Sequence, residues 1–166
     1  MKKQLEFDLY KPKLMFGGAL LKNGNPRVKR PLASKLPLHV VLRATKSKMR
    51  LPKNFKRTNE LVRRACEKHG IRLYEYANVG NHLHLLIKLP RPRYWAPFIR
   101  ELTGRIAQEI DLEWMWRPFT RVVGGWRRAY KIAKEYVQLN LLEAEGFISR
   151  KQTKTLRDLR NLLDGS

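Results

Sequence analysis

Three stretches of the chain have the patterns of β-strands: the first has a β-branched centre, and in the other two hydrophobic and polar residues alternate. The last two of these stretches are separated by a tight Gly80-Asn81 turn, and we expect them to form a hairpin. A fourth, shorter strand is predicted further along the chain. The four predicted strands read PLHVVLRAT (37–45), IRLYEYANV (71–79), HLHLLIKL (82–89) and FTRVVGG (119–125).

Between and after these strands, apolar residues recur every three to four positions, which predicts helices. The first helix is predicted to begin at an N-cap on Thr58 and to end at Gly70, and the second to begin after Pro92. A third helix follows the Gly124-Gly125 pair and ends at Gly146. A last amphipathic helix is predicted within residues 148–166.

The predicted order of elements, βαββαβ, favours an α+β fold: a ferredoxin-like antiparallel sheet with both of its helices on one face. The additional C-terminal helices follow this unit. Residues 1–36 show neither hydrophobic period and are predicted to form a basic N-terminal arm. We therefore expect three parts, namely the arm at 1–36, a folded domain at 37–146 and a helical tail at 147–166.

The charge of the chain narrows its choice of partners. Its 166 residues include 36 Lys and Arg but only 14 Asp and Glu, a formal net charge of +22, together with a hydrophobic content of 43% that is sufficient for a core. Such an excess predicts a polyanionic partner, nucleic acid first, with membrane-surface attraction or solubility as the alternative. The candidate phosphate-binding residues are Lys29, Arg30, Arg43, Lys46, Lys48, Arg50, Arg121, Arg127 and Arg128.

Three absences in the sequence bear on the cellular context. The single cysteine, Cys66, excludes an internal disulfide and a cysteine-based zinc cluster, and its helical position predicts a small core residue. No apolar run reaches the roughly 18 residues that a membrane-spanning helix needs. The N-terminal residues lack the apolar core of a signal peptide. We expect a cytoplasmic protein without a membrane partner.

His82 and His84 are two of the four histidines and lie one residue apart in the third predicted strand. Because side chains alternate across a strand, both point to one face, while Leu83 and Leu85 point to the face that the helices bury. Two imidazole nitrogens on one face could bind a single cation. The alternative is a chance spacing.

Tyr136 and Asn140 lie four residues apart on the third predicted helix and therefore share a face. A phenol can attack a phosphodiester if a divalent cation or a lysine stabilises the developing charge. Tyrosine on an amphipathic helix also commonly packs as a half-buried core residue, so the residues alone leave both interpretations open. Tyr130 lies six residues before Tyr136, about 600° of helical rotation, and faces elsewhere.

The His82-Leu83-His84 motif on a strand, followed by a tyrosine and an amide residue one helical turn apart, resembles the HUH single-tyrosine transposases. A closer similarity, to the REP-associated tyrosine transposases of that superfamily, is carried by the segments GGALLKNGNPRVKRPLASKLPLHVVLRATKS, YANVGNHLHLLIKLP and AKEYVQLNLLEAEG. The resemblance extends from Gly17 to Gly146.

The resemblance implies a nuclease domain at 37–146 that cleaves single-stranded DNA beside a hairpin and rejoins it. It implies that His82 and His84 bind Mg²⁺ or Mn²⁺, with Asn140 as a further ligand at a position where mobile relatives more often have glutamine. Tyr136 is then the nucleophile and keeps a 5′-phosphotyrosine, without ATP. A monomer is favoured, and a dimer that exchanges the tyrosine helix is the alternative.

A different function class also fits this predicted fold. A non-catalytic nucleic-acid-binding protein could use an RRM-like sheet, although the two central strands lack an aromatic run of the RGFGFV type. His39 on the first strand is interpreted as a structural histidine rather than a ligand. The tryptophans interleaved with arginines could stack on bases or pack in the core; they are Trp114, Trp116 and Trp126.

Overall fold

The computed structural model describes residues 16–17, 30–115, 117–124 and 127–149. Five strands form one antiparallel sheet in the order β1-β5-β2-β4-β3. The strands are β1 (Phe16–Gly17), β2 (Leu38–Arg43), β3 (Arg72–Asn78), β4 (His82–Lys88) and β5 (Phe119–Val122). The last four strands have the order of a ferredoxin-like sheet, so the predicted α+β fold is confirmed.

In the part of the chain that the structure describes, three α-helices accompany the sheet. They are α1 (Pro52–Lys68), α2 (Trp95–Ile110), which follows a short 3₁₀ turn at Pro92–Tyr94, and α3 (Arg128–Ala144). Helices α1 and α2 pack against each other, and α3 packs on β3 and β4. Gly146 follows α3 with a φ of 82°, the left-handed conformation expected where a helix ends.

The alternation in β4 divides the hydrophobic residues between two cores. Leu83, Leu85 and Ile87 are fully buried with α1 and α2 on one face, as the sequence predicted. Leu86 on the opposite face packs beneath α3 against Val137. The sheet is therefore covered on both faces, and the histidine face of β4 lies on the side of α3. Within the described residues, none of the helices is long and apolar enough to cross a membrane.

The first helix begins earlier than the sequence predicted. Thr58 is not its N-cap, because α1 begins at Pro52 and Thr58 lies buried inside it, donating a hydrogen bond to the carbonyl of Asn54 at 2.8 Å. Proline at the first helical position has a suitable φ and needs no intrahelical donor. The side chain of Asn54 in turn donates to the carbonyl of Lys48 at 3.0 Å, which attaches the helix start to the preceding loop.

The two ends of the chain are described only in part. In the predicted arm, Phe16–Gly17 pairs with β5, and Leu32, Ala33 and Leu36 pack against the core, while residues 1–15 and 18–29 lie outside the described residues. The predicted last helix falls at 150–166 for most of its length, also outside them. The boundaries of arm and tail stay predictions.

Gly80, in the turn before β4, allows a prediction about stability. Its φ is +96°, and a Cβ atom there would contact Oγ of Ser47. Since non-glycine residues are strained in this region, we expect Gly80→Ala to lower the free energy of unfolding by about 1–3 kcal/mol. Urea denaturation followed by circular dichroism measures this change.

Gly104 inside α2 is the matched control. A Cβ atom at Gly104 would meet nothing within 4 Å. Because alanine favours the helix over glycine, Gly104→Ala should raise stability by about 0.5–1 kcal/mol. Equal losses in the two variants would contradict the assignment of strain to the turn.

Candidate active site

The two histidines of β4 lie together on the face below α3, as their spacing predicted. Their ring centroids are 4.8 Å apart. His84 is buried, with 3% of its surface exposed, whereas His82 is half-buried near the end of the strand. The amide of Asn81 lies beside them, with its Oδ1 atom 2.6 Å from Nδ1 of His82.

A cavity of about 620 Å³ lies in front of these histidines, between the sheet and α3. The strands contribute histidines and arginines together with apolar side chains, and α3 contributes small and apolar side chains together with Tyr136. The residues that line the cavity are His39, Val41, Arg43, His82, His84, Arg117, Phe119, Arg121, Val122, Val123, Gly124, Ala129, Ile132, Ala133 and Tyr136. Among these described residues there is no carboxylate, so the cavity suits an anionic group such as a phosphate.

His39 is a site residue that sequence reasoning did not assign. Its Nε2 atom lies 3.1 Å from Nδ1 of His84, and the two rings are nearly parallel, at 10°. Burial and the nearby charge of Arg121 lower the pKa of His39 to about 4, so it is neutral at neutral pH. The available signal was the alternation in β2, which places His39 and Arg43 on one face opposite Leu38 and Val40.

Tyr136 extends from α3 over His84 and His39. Its ring centroid is 5.5 Å from that of His84 and 5.6 Å from that of His39, edge-on to both. Its residue surface is 41% exposed, more than a half-buried core tyrosine would show. The side chain is therefore accessible to a ligand in the cavity while it stays in contact with His84 and His39.

Tyr130 lies elsewhere, as the helical rotation predicted. Its ring packs edge-on against Tyr74 with centroids 5.6 Å apart, inside the apolar cluster under α3. Trp114 is also structural, because its Nε1 atom donates to the carbonyl of Thr103 at 2.9 Å. Trp116 and Trp126 lie outside the described residues.

Asn140 is buried one turn after Tyr136 and does not belong to the cavity lining. Its Nδ2 atom donates to the backbone carbonyl of Tyr136 at 2.6 Å. In this rotamer the amide is bonded to the turn of helix that carries the tyrosine. Its role as a metal ligand stays a prediction.

Three of the arginines form the cationic side of the cavity. Arg43 and Arg121 were candidates from the sequence, and Arg117 joins them through the folding of the chain before β5. In the register of the sheet, Arg43 pairs with His82 and Arg121 pairs with His39. Both pairs place an exposed guanidinium beside an imidazole.

The other candidate phosphate-binding residues lie outside the cavity. Arg30 donates to the carbonyl of Pro118 and to Oγ1 of Thr120, on the face of the sheet that α1 and α2 cover. Burial, then the charge of Arg117, lower the pKa of Arg30. Lys48 forms an ion pair with Asp111 at 2.7 Å.

The remaining candidates differ in their surroundings. Arg50 donates to the carbonyl of Asn78 at 2.9 Å, whereas Lys46 is exposed. Arg127 and Arg128 are exposed at the start of α3, and Lys29 falls outside the described residues. Their contact with nucleic acid stays a prediction.

The two histidines of β4 fit a divalent cation by the chemistry of their donor atoms. The side-chain oxygen of Asn81, Oδ1, accepts a hydrogen bond from Nδ1 of His82, which leaves the lone pair of Nε2 for a ligand. Burial, then Arg43, lower the pKa of His82 and favour the neutral, ligating form, although Glu143 opposes this shift. In the described part of the chain, no three or more His, Cys, Asp or Glu cluster as a metal site. Oxygen ligands from an amide, water or a phosphate would have to complete the shell, and these suit Mg²⁺ and Mn²⁺.

Comparisons with known proteins show the family and the fold of this chain. The family described as "Transposase IS200 like" matches residues 33–140, which include β2 to β5 and the part of α3 that carries Tyr136 and Asn140. A solved structure, described as a REP-associated tyrosine transposase bound to a REP hairpin, superimposes with a TM-score of 0.57 at 12% sequence identity. That superposition covers 74% of this chain and 76% of the other. No curated protein sequence matches the chain.

Proposed function

This chain belongs to the transposase IS200-like family, and from that premise we propose that it is a metal-dependent endonuclease and strand transferase for single-stranded DNA that acts at DNA hairpins. The observation that carries the proposal is the position of Tyr136. The exposed side chain of Tyr136 contacts the rings of His84 and His39, in a cavity lined by three arginines. The family confirms the predicted superfamily, and the shared fold is that of a REP-associated tyrosine transposase.

In the proposed reaction, a phosphodiester enters the cavity with its non-bridging oxygens toward the arginines. The Oη atom of Tyr136 attacks phosphorus, the bond from phosphorus to the 3′-oxygen breaks, and a 5′-phosphotyrosine forms. The phenolic proton passes to water, and the departing 3′-oxygen takes a proton from water, so the step conserves both charge and atoms. Arg43, Arg117 and Arg121 hold the phosphate by charge-assisted hydrogen bonds.

The proposed cofactor is Mg²⁺ or Mn²⁺, held by His82 and His84 with Asn140 as a candidate third ligand. A divalent cation bound there supplies Lewis-acid stabilisation of the charge that develops on the phosphate oxygens. The contribution of the chain is to present two imidazoles on one face of a single strand. Because β4 lies between β2 and β3, its position is set by hydrogen bonds on both sides.

The same residues can catalyse the reverse direction. A 3′-hydroxyl that attacks the phosphotyrosine restores a phosphodiester and releases the phenol, since the bond energy is conserved in the intermediate. Joining to a different 3′-hydroxyl is strand transfer. No nucleotide triphosphate is needed in either direction.

The proposed substrate is single-stranded DNA with a hairpin. The structural neighbour is bound to a REP hairpin, and this chain shares its fold. Its excess of basic residues, +22 in formal charge, gives the electrostatic attraction that a folded DNA strand requires. We propose that the protein acts as a monomer, because Tyr136 contacts His39 and His84 of its own chain.

Binding without catalysis is less well supported. An RRM-like protein stacks bases on an open sheet face, whereas here α3 packs on β3 and β4 across that face. The test of catalysis is single-turnover cleavage of a labelled pool of single-stranded DNA hairpins with randomised flanks, in the presence of Mn²⁺. Recovery of discrete cleaved sequences supports the proposal, and binding of hairpins without any cleavage contradicts it.

The arginines of the cavity give a prediction for DNA binding. Arg121→Gln should weaken the binding of a hairpin substrate several-fold, because one phosphate contact is lost from an exposed site. The slope of log affinity against log salt should decrease by about 0.7–0.9. Fluorescence anisotropy over a range of salt concentrations measures both quantities.

Arg100→Gln is the matched control for charge. Arg100 lies exposed on α2, on the opposite face of the sheet from the cavity, and the substitution removes the same charge. We expect a much smaller change in affinity and in slope. If the two variants behaved alike, the binding of DNA would depend on net charge and not on the cavity.

A further inference from the structure

His39 and His84 are positioned to form a hydrogen bond between their imidazole rings. The two rings come from adjacent strands and are nearly parallel, at 10°, with Nε2 of His39 only 3.1 Å from Nδ1 of His84. This is the geometry of an N–H···N hydrogen bond between imidazoles. A neutral imidazole has one nitrogen that donates and one that accepts, so the bond requires a defined tautomer in each ring.

The direction of that bond determines which nitrogen of His84 can bind a cation. If His39 donates, Nδ1 of His84 is the acceptor and its Nε2 carries the proton, which prevents ligation there. If His84 donates from Nδ1, its Nε2 has the free lone pair that a metal ligand needs. Only the second arrangement allows His84 to act with Nε2 of His82.

The tautomer of His82, the other histidine of β4, is selected by a side-chain oxygen. Oδ1 of Asn81 lies 2.6 Å from Nδ1 of His82, and a carbonyl oxygen can only accept. The tautomer of His82 is thereby selected for ligation through Nε2. The Nδ1 atom of His84 lies close to Nε2 of His39, at 3.1 Å.

We infer that His39 is the positioning residue for His84: its Nε2 accepts a hydrogen bond from Nδ1 of His84 and so selects the tautomer that binds the divalent cation. This inference rests on the proposed function, because it takes His84 to be a ligand. His39 itself carries its proton on Nδ1 and does not contact the metal.

The packing of the pair supports this role. His39 is not directly opposite His84 in the sheet, because His84 pairs with Val41 and His39 pairs with Leu86. The two rings meet diagonally across the strands, on the face of the sheet that Tyr136 of α3 contacts. Since His84 is only 3% exposed, bulk water cannot readily replace the nitrogen of His39 as its acceptor.

Two substitutions of His39 separate hydrogen bonding from packing. His39→Gln places an amide oxygen near the position of Nε2 and keeps an acceptor, whereas His39→Leu keeps a similar volume without one. We expect the Mn²⁺ affinity, measured by electron paramagnetic resonance on the DNA-free protein, to fall about 10- to 100-fold in His39→Leu. In His39→Gln it should stay within about threefold of the unsubstituted protein.

The tautomer of His84 is a second readout that needs neither metal nor DNA. Long-range ¹H–¹⁵N correlation spectra of the metal-free protein should show His84 protonated on Nδ1, and this signature should change in His39→Leu and persist in His39→Gln. The matched control is His69→Leu. His69 lies on the α1 and α2 side, where its Nε2 atom is 2.9 Å from Glu101, so His84 should keep its tautomer.

The outcomes separate this inference from the proposed function. If His84→Ala removes Mn²⁺ binding but His39→Leu binds with unchanged affinity, the inference is overturned and the metal site stands. If the metal-free protein shows His84 protonated on Nε2, the inference is also overturned. If His84→Ala binds Mn²⁺ as well as the unsubstituted protein, the proposed metal site is wrong, and the inference fails with it.

Discussion

Incubation of the protein with a cleavable single-stranded hairpin and Mn²⁺ is expected to give a covalent protein–DNA species that survives denaturing electrophoresis. The proposed nucleophile stays attached to the 5′ phosphate of the downstream fragment, so the adduct is a direct product of the chemistry. Peptide mass spectrometry should map the link to Tyr136. A protein that only binds DNA cannot form it.

Tyr136→Phe removes the attacking oxygen and leaves the ring. We expect the cleavage rate to fall by at least about 10⁴-fold, since no other group can replace a nucleophile in the same position. The ring is 41% exposed, so the free energy of unfolding should change by less than about 0.5 kcal/mol. Hairpin affinity should therefore persist in the inactive variant.

Tyr130→Phe is the matched control, because it removes the same atom from the same helix. Tyr130 packs against Tyr74 and not against the histidines, so the adduct should form at the normal rate. An adduct on Tyr130 would show that the nucleophile is Tyr130 and not Tyr136, and the proposed class of enzyme would be unchanged. The absence of any adduct on a hairpin that the protein binds and cleaves would rule out a covalent tyrosine mechanism.

The second large effect on cleavage is expected from the replacement of His82 and His84. Joint replacement of His82 and His84 by alanine should reduce Mn²⁺-dependent cleavage by about 10³-fold or more, because both nitrogen ligands are lost. Hairpin affinity, which depends mainly on phosphate contacts, should stay within a few-fold. Single-turnover rates across a Mn²⁺ titration, with anisotropy in parallel, measure the two quantities separately.

Two further variants test whether the double replacement acts through a loss of the folded structure. His82→Ala alone changes the half-buried member of the pair and avoids a hole at His84, whose surface is only 3% exposed. His69→Ala removes an imidazole from the opposite side of the sheet, where it contacts Glu101, and should leave cleavage unchanged. Full activity in the double variant would exclude these histidines as ligands.

Much of the fold followed from local patterns. The alternation from His82 to Lys88 predicted both the strand and its two faces, because the period of a β-strand is a property of the backbone. The start of α1 did not follow, since Thr58 is a common N-cap residue and only the folded chain shows it buried within the helix. The competing signal was Pro52, whose missing donor and suitable φ favour the first helical position.

The sequence by itself determined the chemistry that is available: a histidine pair on one strand face, a tyrosine and an amide one helical turn apart, and a large excess of positive charge. These are local or compositional properties, which no arrangement of the other residues can alter.

Only the tertiary structure decided which of these groups meet. His39 joins the site because β2 pairs with β4, and Arg117 joins because the chain before β5 turns toward the same cavity. Arg30, equally basic in sequence, instead binds the carbonyl of Pro118 on the other face. Strand order and register depend on contacts between distant parts of the chain, and a periodic pattern identifies a face without identifying its neighbour.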